Sequence, residues 1–396
     1  MNTGNLREPV QPRAAAAAAM GGFSIIELMV GMVIAMIIFL VISFVFANFE
    51  NTKRVTTVAS DTQSSGTMVV TEMEQAIRSA GAGIVADEVT QCASATTYSY
   101  YKNVSTSVET SPVPGYSQFF SPVVITNGNV ADASLEKRSD TIAIRIGHDV
   151  EGSVATRVVP NDSEDPYLLI VERGIGFPKN TVVMLTDGAT CAVYEISSIP
   201  DSNTPNRMSI APGTGNTWNP DTAFKTAHGW PKITEKVSVY SPGLLSFRTY
   251  SVNSSLQLQV LNQAASAADS TDLLANDVVA LQAQYGVSAA PSTPTIANWV
   301  EPTGEWAATA LDSTHVKRIV AVRIAIVLRN PKKETRDVTD TCSNNAGTNY
   351  GPCAWDDTAT DKAPLIDLRA DPDWKRYRYR TYQTIIPLRN LIWTGL

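Results

Sequence analysis

The chain has 396 residues, of which 17% are charged, and a formal net charge of −7. That length accommodates a membrane anchor followed by one large domain or two ordinary ones. The acidic balance excludes a broad basic field, so no direct nucleic-acid partner is expected.

Residues 1–20 carry Arg7, Glu8, Arg13 and an alanine run from Ala14 to Ala19. Then comes Gly21-Gly22-Phe23-Ser24-Ile25-Ile26-Glu27, and from Leu28 to Ala47 no charge occurs. About 20 apolar residues suffice for a helix to cross roughly 30 Å of hydrocarbon. Glu27 sits just inside that segment, where a carboxylate costs on the order of 2.5–3.5 kcal/mol and is by default functional. A secretory signal would place its small-residue cut site after the apolar run. Here Gly21 and Gly22 precede it. A plain anchor would have no use for Glu27.

Gly22-Phe23-Ser24-Ile25-Ile26-Glu27-Leu28 resembles the class III leader junction of type IV prepilins and pseudopilins. The resemblance implies cleavage between Gly22 and Phe23 by a prepilin peptidase, which also N-methylates Phe23. It makes Glu27 the assembly carboxylate, and Leu28 to Ala47 the transmembrane part. Residues 1–22 become a cleaved leader on the cytoplasmic side, 23–80 the transmembrane and assembly helix, and 81–396 a periplasmic or extracellular domain. Arg7 and Arg13 agree with the positive-inside rule, with Glu8 offsetting one of them. The alanine run departs from the Lys or Arg that leaders of this family often place beside the final Gly.

One continuous helix is expected from Phe23 to about Ala80. No proline lies between Pro12 and Pro112, Gly31 and Gly66 are the interior glycines, and Gly81-Ala82-Gly83 supplies the stop. Val70, Met73, Ile77 and Ala80 form one apolar stripe, with Glu72, Gln75, Arg78 and Ser79 off it. Such a stripe needs a partner surface, expected to be a β-sheet from the later chain. The expected fold class is therefore α+β and pilin-like: a long N-terminal helix, membrane-spanning in its first half, on a large antiparallel β-rich domain.

Alternation at Ile142, Ile144 and Ile146, at Leu256, Leu258 and Val260, and from Val320 to Leu328 predicts strands. Lys236–Tyr240 and Leu244–Tyr250 are expected to form a hairpin turned at Ser241-Pro242-Gly243. Leu274, Val278 and Leu281 have helical spacing, so a short helix is expected within Leu273–Tyr285. Tyr377–Ile386 reads as a final strand carrying Arg376, Arg378 and Arg380 on one solvated face. Residues 98–118, 200–222 and 287–305 read as long polar linkers.

The four cysteines all follow the apolar segment, and an even count in a translocated domain favours disulfides. Cys342 and Cys353, eleven apart around a Gly/Asn-rich loop, are the expected pair. Cys92 with Cys191 follows by elimination, buried free thiols being the alternative there.

No cofactor or metal is expected. His148, His228 and His315 lack zinc-site spacing, Gly174-Ile175-Gly176 lacks the rest of a dinucleotide fingerprint, and no nucleophile elbow or P-loop occurs. Asp162, Glu164 and Asp165 lack the EF-hand pattern and read as a solvated turn. The same reading applies to Asp356, Asp357 and Asp361. The expected work is assembly rather than catalysis.

The later chain sharpens the resemblance. Leu256-Gln257-Leu258-Gln259-Val260, the segment Val278 through Gln284-Tyr285-Gly286, and Tyr382 through Leu388-Arg389-Asn390 are similar to the PilW-type minor pilins. The family implies a subunit that joins other minor pilins to prime assembly near the pilus tip, with the major pilin and a tip adhesin as further partners. It implies a single-pass inner-membrane protein before assembly and a pilus component afterwards, supporting twitching motility and attachment. A type II secretion pseudopilin shares the leader and the helix. A membrane-tethered binding module, holding a ligand in its long loops, is the other alternative.

Overall fold

The computed structural model describes residues 24–83, 96–98, 121–148, 155–159, 167–173, 177–186, 190–199, 206–211, 219, 237–264, 269–291 and 293–393. The chain forms two compact units, Met1–Thr57 and Val58–Leu396. Helix α1 (Ile25–Ser79) supplies the described part of the first unit and opens the second.

In the first unit α1 is apolar on all sides, and Ile25–Phe46 is long and apolar enough to cross a membrane. Its large side chains are exposed, Ile25 to 81% and Phe46 to 63%. A helix of this kind requires lipid or other helices around it.

The second unit is β-rich. Its strands are β1 (Thr96–Tyr98), β2 (Val123–Thr126), β3 (Thr141–His148), β4 (Thr156–Arg157), β5 (Leu168–Ile170), β6 (Val182–Thr186), β7 (Thr190–Glu195) and β8 (Arg207–Ser209). They continue with β9 (Ser238–Val252), β10 (Leu258–Ala264), β11 (Ser270–Ala275), β12 (Val278–Val287), β13 (Asn298–Val300) and β14 (Ile319–Arg329). The last are β15 (Cys342–Asn344), β16 (Gly347–Asn349) and β17 (Tyr379–Pro387). One sheet runs β1-β7-β6-β9-β10-β11, with β2, β3 and β4 joined to it through β3 and β9. A second runs β13-β12-β14-β17. Pairing is antiparallel in both sheets except where β1 meets β7.

Residues 58–79 of α1 close the space between strands of both sheets. Val69, Met73, Ala76, Ile77 and Ala80 share one core with Ile142, Ile144 and Tyr250 of the first sheet and Leu281, Ile324 and Ile386 of the second. The stripe read from the sequence is thus the buried one, widened by Val69 and Ala76, with Val70 at its margin. The helix stops where expected: Gly81 and Gly83 have φ of 79° and 68°, a left-handed conformation that glycine adopts without steric cost.

Two expectations are corrected. Leu273–Tyr285 is not helical. It contains the end of β11 and most of β12, whose ten residues are all buried. One face of β12 meets the α1 core, and the other meets a core built from Ala354, Ile366, Leu368 and Trp374. Burial on both faces removes the alternation that identifies a strand, and the helix-like spacing of Leu274, Val278 and Leu281 is incidental. The second correction concerns Ser241-Pro242-Gly243, which is no hairpin turn. It lies inside the fifteen-residue β9. There the register against β6 shifts between Val182↔Gly243 and Met184↔Tyr240, a bulge where proline is tolerated. The strand also changes partners there, from β4 and β6 to β3 and β10.

The polar stretch 287–305 holds β13 and a 3₁₀ turn at Gly304–Trp306. The stretch 200–222 holds β8, and nearly all of 98–118 lies outside the described residues.

Candidate assembly site

The candidate site begins at the first described turn of α1. Ser24 Oγ accepts a hydrogen bond from the Ile26 amide at 3.3 Å. Glu27 Oε2 accepts one from the Ser24 amide at 3.0 Å. Ser24 and Glu27 form a reciprocal N-cap of the Ser-x-x-Glu type, satisfying donors the helix start leaves open. A carboxylate in the first turn is also favoured by the helix dipole. Gly22, Phe23 and the leader lie outside the described residues.

At the other end the later chain grips α1 through specific contacts. Tyr250 on β9 donates its hydroxyl to Glu72 Oε1 at 2.8 Å, and Arg248 Nη1 lies 3.6 Å from the same oxygen. Burial, with the Glu72 carboxylate beside it, pushes the Tyr250 phenol well above its ordinary value, so it stays a donor. On β17, Tyr382 donates to the Thr62 carbonyl at 3.2 Å and Arg380 Nη1 to Gln63 Oε1 at 2.7 Å. Gly66 faces the Tyr382 ring so closely that a Cβ there would lie 2.3 Å from its Cε2 atom. Asn390 Nδ2 donates to the Ala80 carbonyl at 3.0 Å and the Ser79 carbonyl at 3.4 Å. Two carbonyls that the helix end leaves open are thereby satisfied.

The segments quoted for the family resemblance therefore carry structural work. Asn390 caps α1, and Leu388 is in the core under it. Tyr285 is fully buried, and its hydroxyl oxygen accepts the Ile125 amide at 2.5 Å, tying the second sheet to β2. Gly286 gives Trp299 room: a Cβ would lie 2.9 Å from its ring. Gln284 accepts from Arg323 Nε at 2.6 Å and donates to Glu301 at 2.6 Å. The Arg323 guanidinium lies 4.8 Å from the ring centroids of both Trp299 and Trp355. Burial lowers its pKa to about 10, which leaves it charged at neutral pH.

The long excursion between β14 and β17 is fastened to this face. Cys342 and Cys353 are disulfide-bonded, with Cα atoms 5.6 Å apart. Cys191 lies on β7 opposite Thr97 and Thr186, while Cys92 and its expected pairing lie outside the described residues. Asp357 is a loop organiser rather than a member of a solvated turn. Its carboxylate accepts from the Asn345 amide at 3.1 Å, the Asn345 side chain at 2.8 Å and the Ala346 amide at 3.1 Å. Those bonds hold it below the usual carboxylate range. Asp361 accepts the Trp299 amide at 3.0 Å. The three arginines are exposed, as expected, but only Arg380 lies on the strand. Arg376 belongs to a 3₁₀ turn before β17, Arg378 pairs with Glu334 at 3.1 Å, and Arg380 reaches α1.

His315, in the short helix Ser313–Val316, stacks edge-on against Trp306 with its Nδ1 2.8 Å from Asp312, a local clasp. His148 ends β3. His228, the Gly174–Gly176 stretch and the acids at 162–165 lie outside the described residues.

Sequence reasoning did not single out Tyr250, Gly66, Tyr382 or Asn390 as contacts to α1. Gly66 carried a usable signal, since a glycine inside a helix costs about 1 kcal/mol and calls for a packing reason.

No curated protein and no solved structure matches the chain. A family model described as Type IV Pilus-assembly protein W matches residues 247–390. The matched stretch opens on β9 beside Arg248 and Tyr250 and ends on Asn390, so it contains the hydrogen bonds that Tyr250, Tyr382 and Asn390 make to α1 and its end, while β3, whose Ile142 and Ile144 share the same core, precedes it. Over that stretch the chain is similar to the type IV pilus-assembly protein W family, which supports involvement in type IV pilus assembly.

Proposed function

We propose that the protein is a type IV pilus minor pilin that joins other minor pilins to prime assembly and sits near the pilus tip. The observation that carries the reading is a conjunction in one chain. The Gly22-Phe23 junction precedes an apolar stretch of membrane-spanning length, and the assembly-family match covers β9 and β17, which bond Glu72, Gln63 and Thr62 further along the same helix. On this reading a prepilin peptidase cuts after Gly22 and methylates the new Phe23 amine. The subunit waits in the inner membrane with its β-rich domain outside the cytoplasm, and then enters the pilus with the major pilin and a tip adhesin. It supports piliation, twitching motility and attachment.

The mechanism is an exchange of partners at Glu27. In the isolated subunit its carboxylate is satisfied by the Ser24 amide of its own helix. In apolar surroundings an unpaired charge is strongly disfavoured, while an ion pair is tolerated. The cationic amine of Phe23 on the neighbouring subunit is a stronger partner than a neutral amide. Transfer of the carboxylate to that amine sets the axial register, and packing of the apolar helix flanks supplies most of the cohesion.

The test is Glu27→Ala in place of the wild-type copy. Membrane insertion should persist while incorporation into sheared pili falls at least tenfold. Normal incorporation would defeat the mechanism. A secretion defect with normal piliation in the deletion strain would transfer the protein to the type II pseudopilins.

A further inference from the structure

Among the strands that end their sheets with nothing paired on the outer side among the described residues, β11 in the first sheet and β17 in the second are the longest. Natural proteins usually blunt such edges with charge, proline or short length, because an open edge templates pairing with another chain. The nine residues of β17 carry a proline only at their last position, and β11 carries none. Each presents one large aliphatic side chain to solvent, Leu273 at 53% exposure and Ile385 at 51%.

The two edges have opposite charge. Within β17 the one charged residue is Arg380, since Lys375, Arg376 and Arg378 precede the strand and pair with Asp340, Asp373 and Glu334. Arg380, exposed on β17, is hydrogen-bonded to the neutral amide of Gln63, and no carboxylate pairs with it among the described residues. From Ala264 to Asn276 the charges are Asp269 and Asp272, with no cation. The exposed Asp272 carboxylate accepts from the neutral Asn262 amide at 2.7 Å, which likewise leaves its charge uncompensated.

We infer that β11 of one copy adds to β17 of a second copy, a head-to-tail strand pairing between identical chains. Main-chain hydrogen bonds would supply the adhesion, as in other strand-addition contacts. Asp272 facing Arg380 would set polarity and register, and Leu273, then opposite Tyr379, would lose exposed apolar surface. Two different edges meet, so the contact is heterologous, and each added copy offers a fresh edge. Both strands lie in residues 58–396, so the inference stands apart from leader processing and from the pilus reading.

The experiment uses the full chain in detergent, as two differently tagged populations. One carries Thr271→Cys and the other Thr381→Cys, and a short bifunctional thiol reagent is added. The expected product is a cross-link between the two tags, absent from the unsubstituted chain. Asp272→Arg in the first population should lower the yield at least tenfold, and Arg380→Asp in the second should restore it. Circular dichroism melts of each variant establish that it is folded. A chain that stays monomeric would overturn the inference, as would cross-links only within one population. Yield that ignores the charge reversal would do the same.

Discussion

Gly66→Ala is the substitution whose sign the structure decides against intrinsic propensity. In an exposed helix interior this change would stabilise by about 1 kcal/mol. Here the new methyl would lie 2.3 to 2.7 Å from three atoms of the Tyr382 ring. The ring cannot swing away cheaply, because its hydroxyl is bonded to the Thr62 carbonyl and Arg380 holds Gln63 beside it. Overpacking of this kind costs about 1–3 kcal/mol. Loss of the Tyr382 hydrogen bond adds about 1 kcal/mol. The net expectation is destabilisation by about 1–3 kcal/mol, read as a lower denaturation midpoint of the full chain in detergent at unchanged slope. In a Tyr382→Ala background the obstacle is gone, so Gly66→Ala should recover its intrinsic advantage and stabilise. The two sites would then couple by about 2–4 kcal/mol in a double-mutant cycle. A stabilising Gly66→Ala in the wild-type background, or additive effects in the cycle, would refute the packing of α1 against β17.

The remaining predictions concern the second unit. Asp140 is 1% exposed, and its two oxygens accept the Gly128 and Ala283 amides at 2.8 and 2.7 Å. Those bonds favour the ionised form, but burial outweighs them and pushes the carboxyl from 3.8 up to about 8. Between those values the native state holds a proton that the unfolded chain has released. The contribution to stability is therefore complete below about pH 4 and falls as pH rises, by up to about 1.4 kcal/mol per unit, levelling above about pH 8. Urea titrations across that range should show the decline, and Asp140→Asn should flatten it. Replacing Cys342 and Cys353 together by alanine opens a short loop and should cost about 3 kcal/mol, seen as a lower urea midpoint.

The helix was legible because its signals are local. Proline is absent, the apolar run is unbroken, and Gly81 stands at the end of the Met73–Ile77–Ala80 stripe. The Cys342–Cys353 pair was legible for the same reason, since its loop is short. What failed was long-range. The strand β12 loses its alternation because residues 354–374 cover its outer face. Pro242 looks like a turn, and only the change of partners along β9 explains its place in a strand. Asp357 looked like a solvated charge because its partner, Asn345, is placed beside it only by the fold. At the candidate site, the Ser24-x-x-Glu27 spacing was visible as part of a leader motif. Its capping geometry adds a second, physical reason for those residue types.

The central claim is that the chain is cut after Gly22 and carried into a pilus. Mass spectrometry of pili sheared from wild-type cells tests it most directly. The account predicts a mature chain whose first residue is N-methylated Phe23. A chain that retains residues 1–22 in piliated, motile cells, or that is absent from their pili, would contradict it.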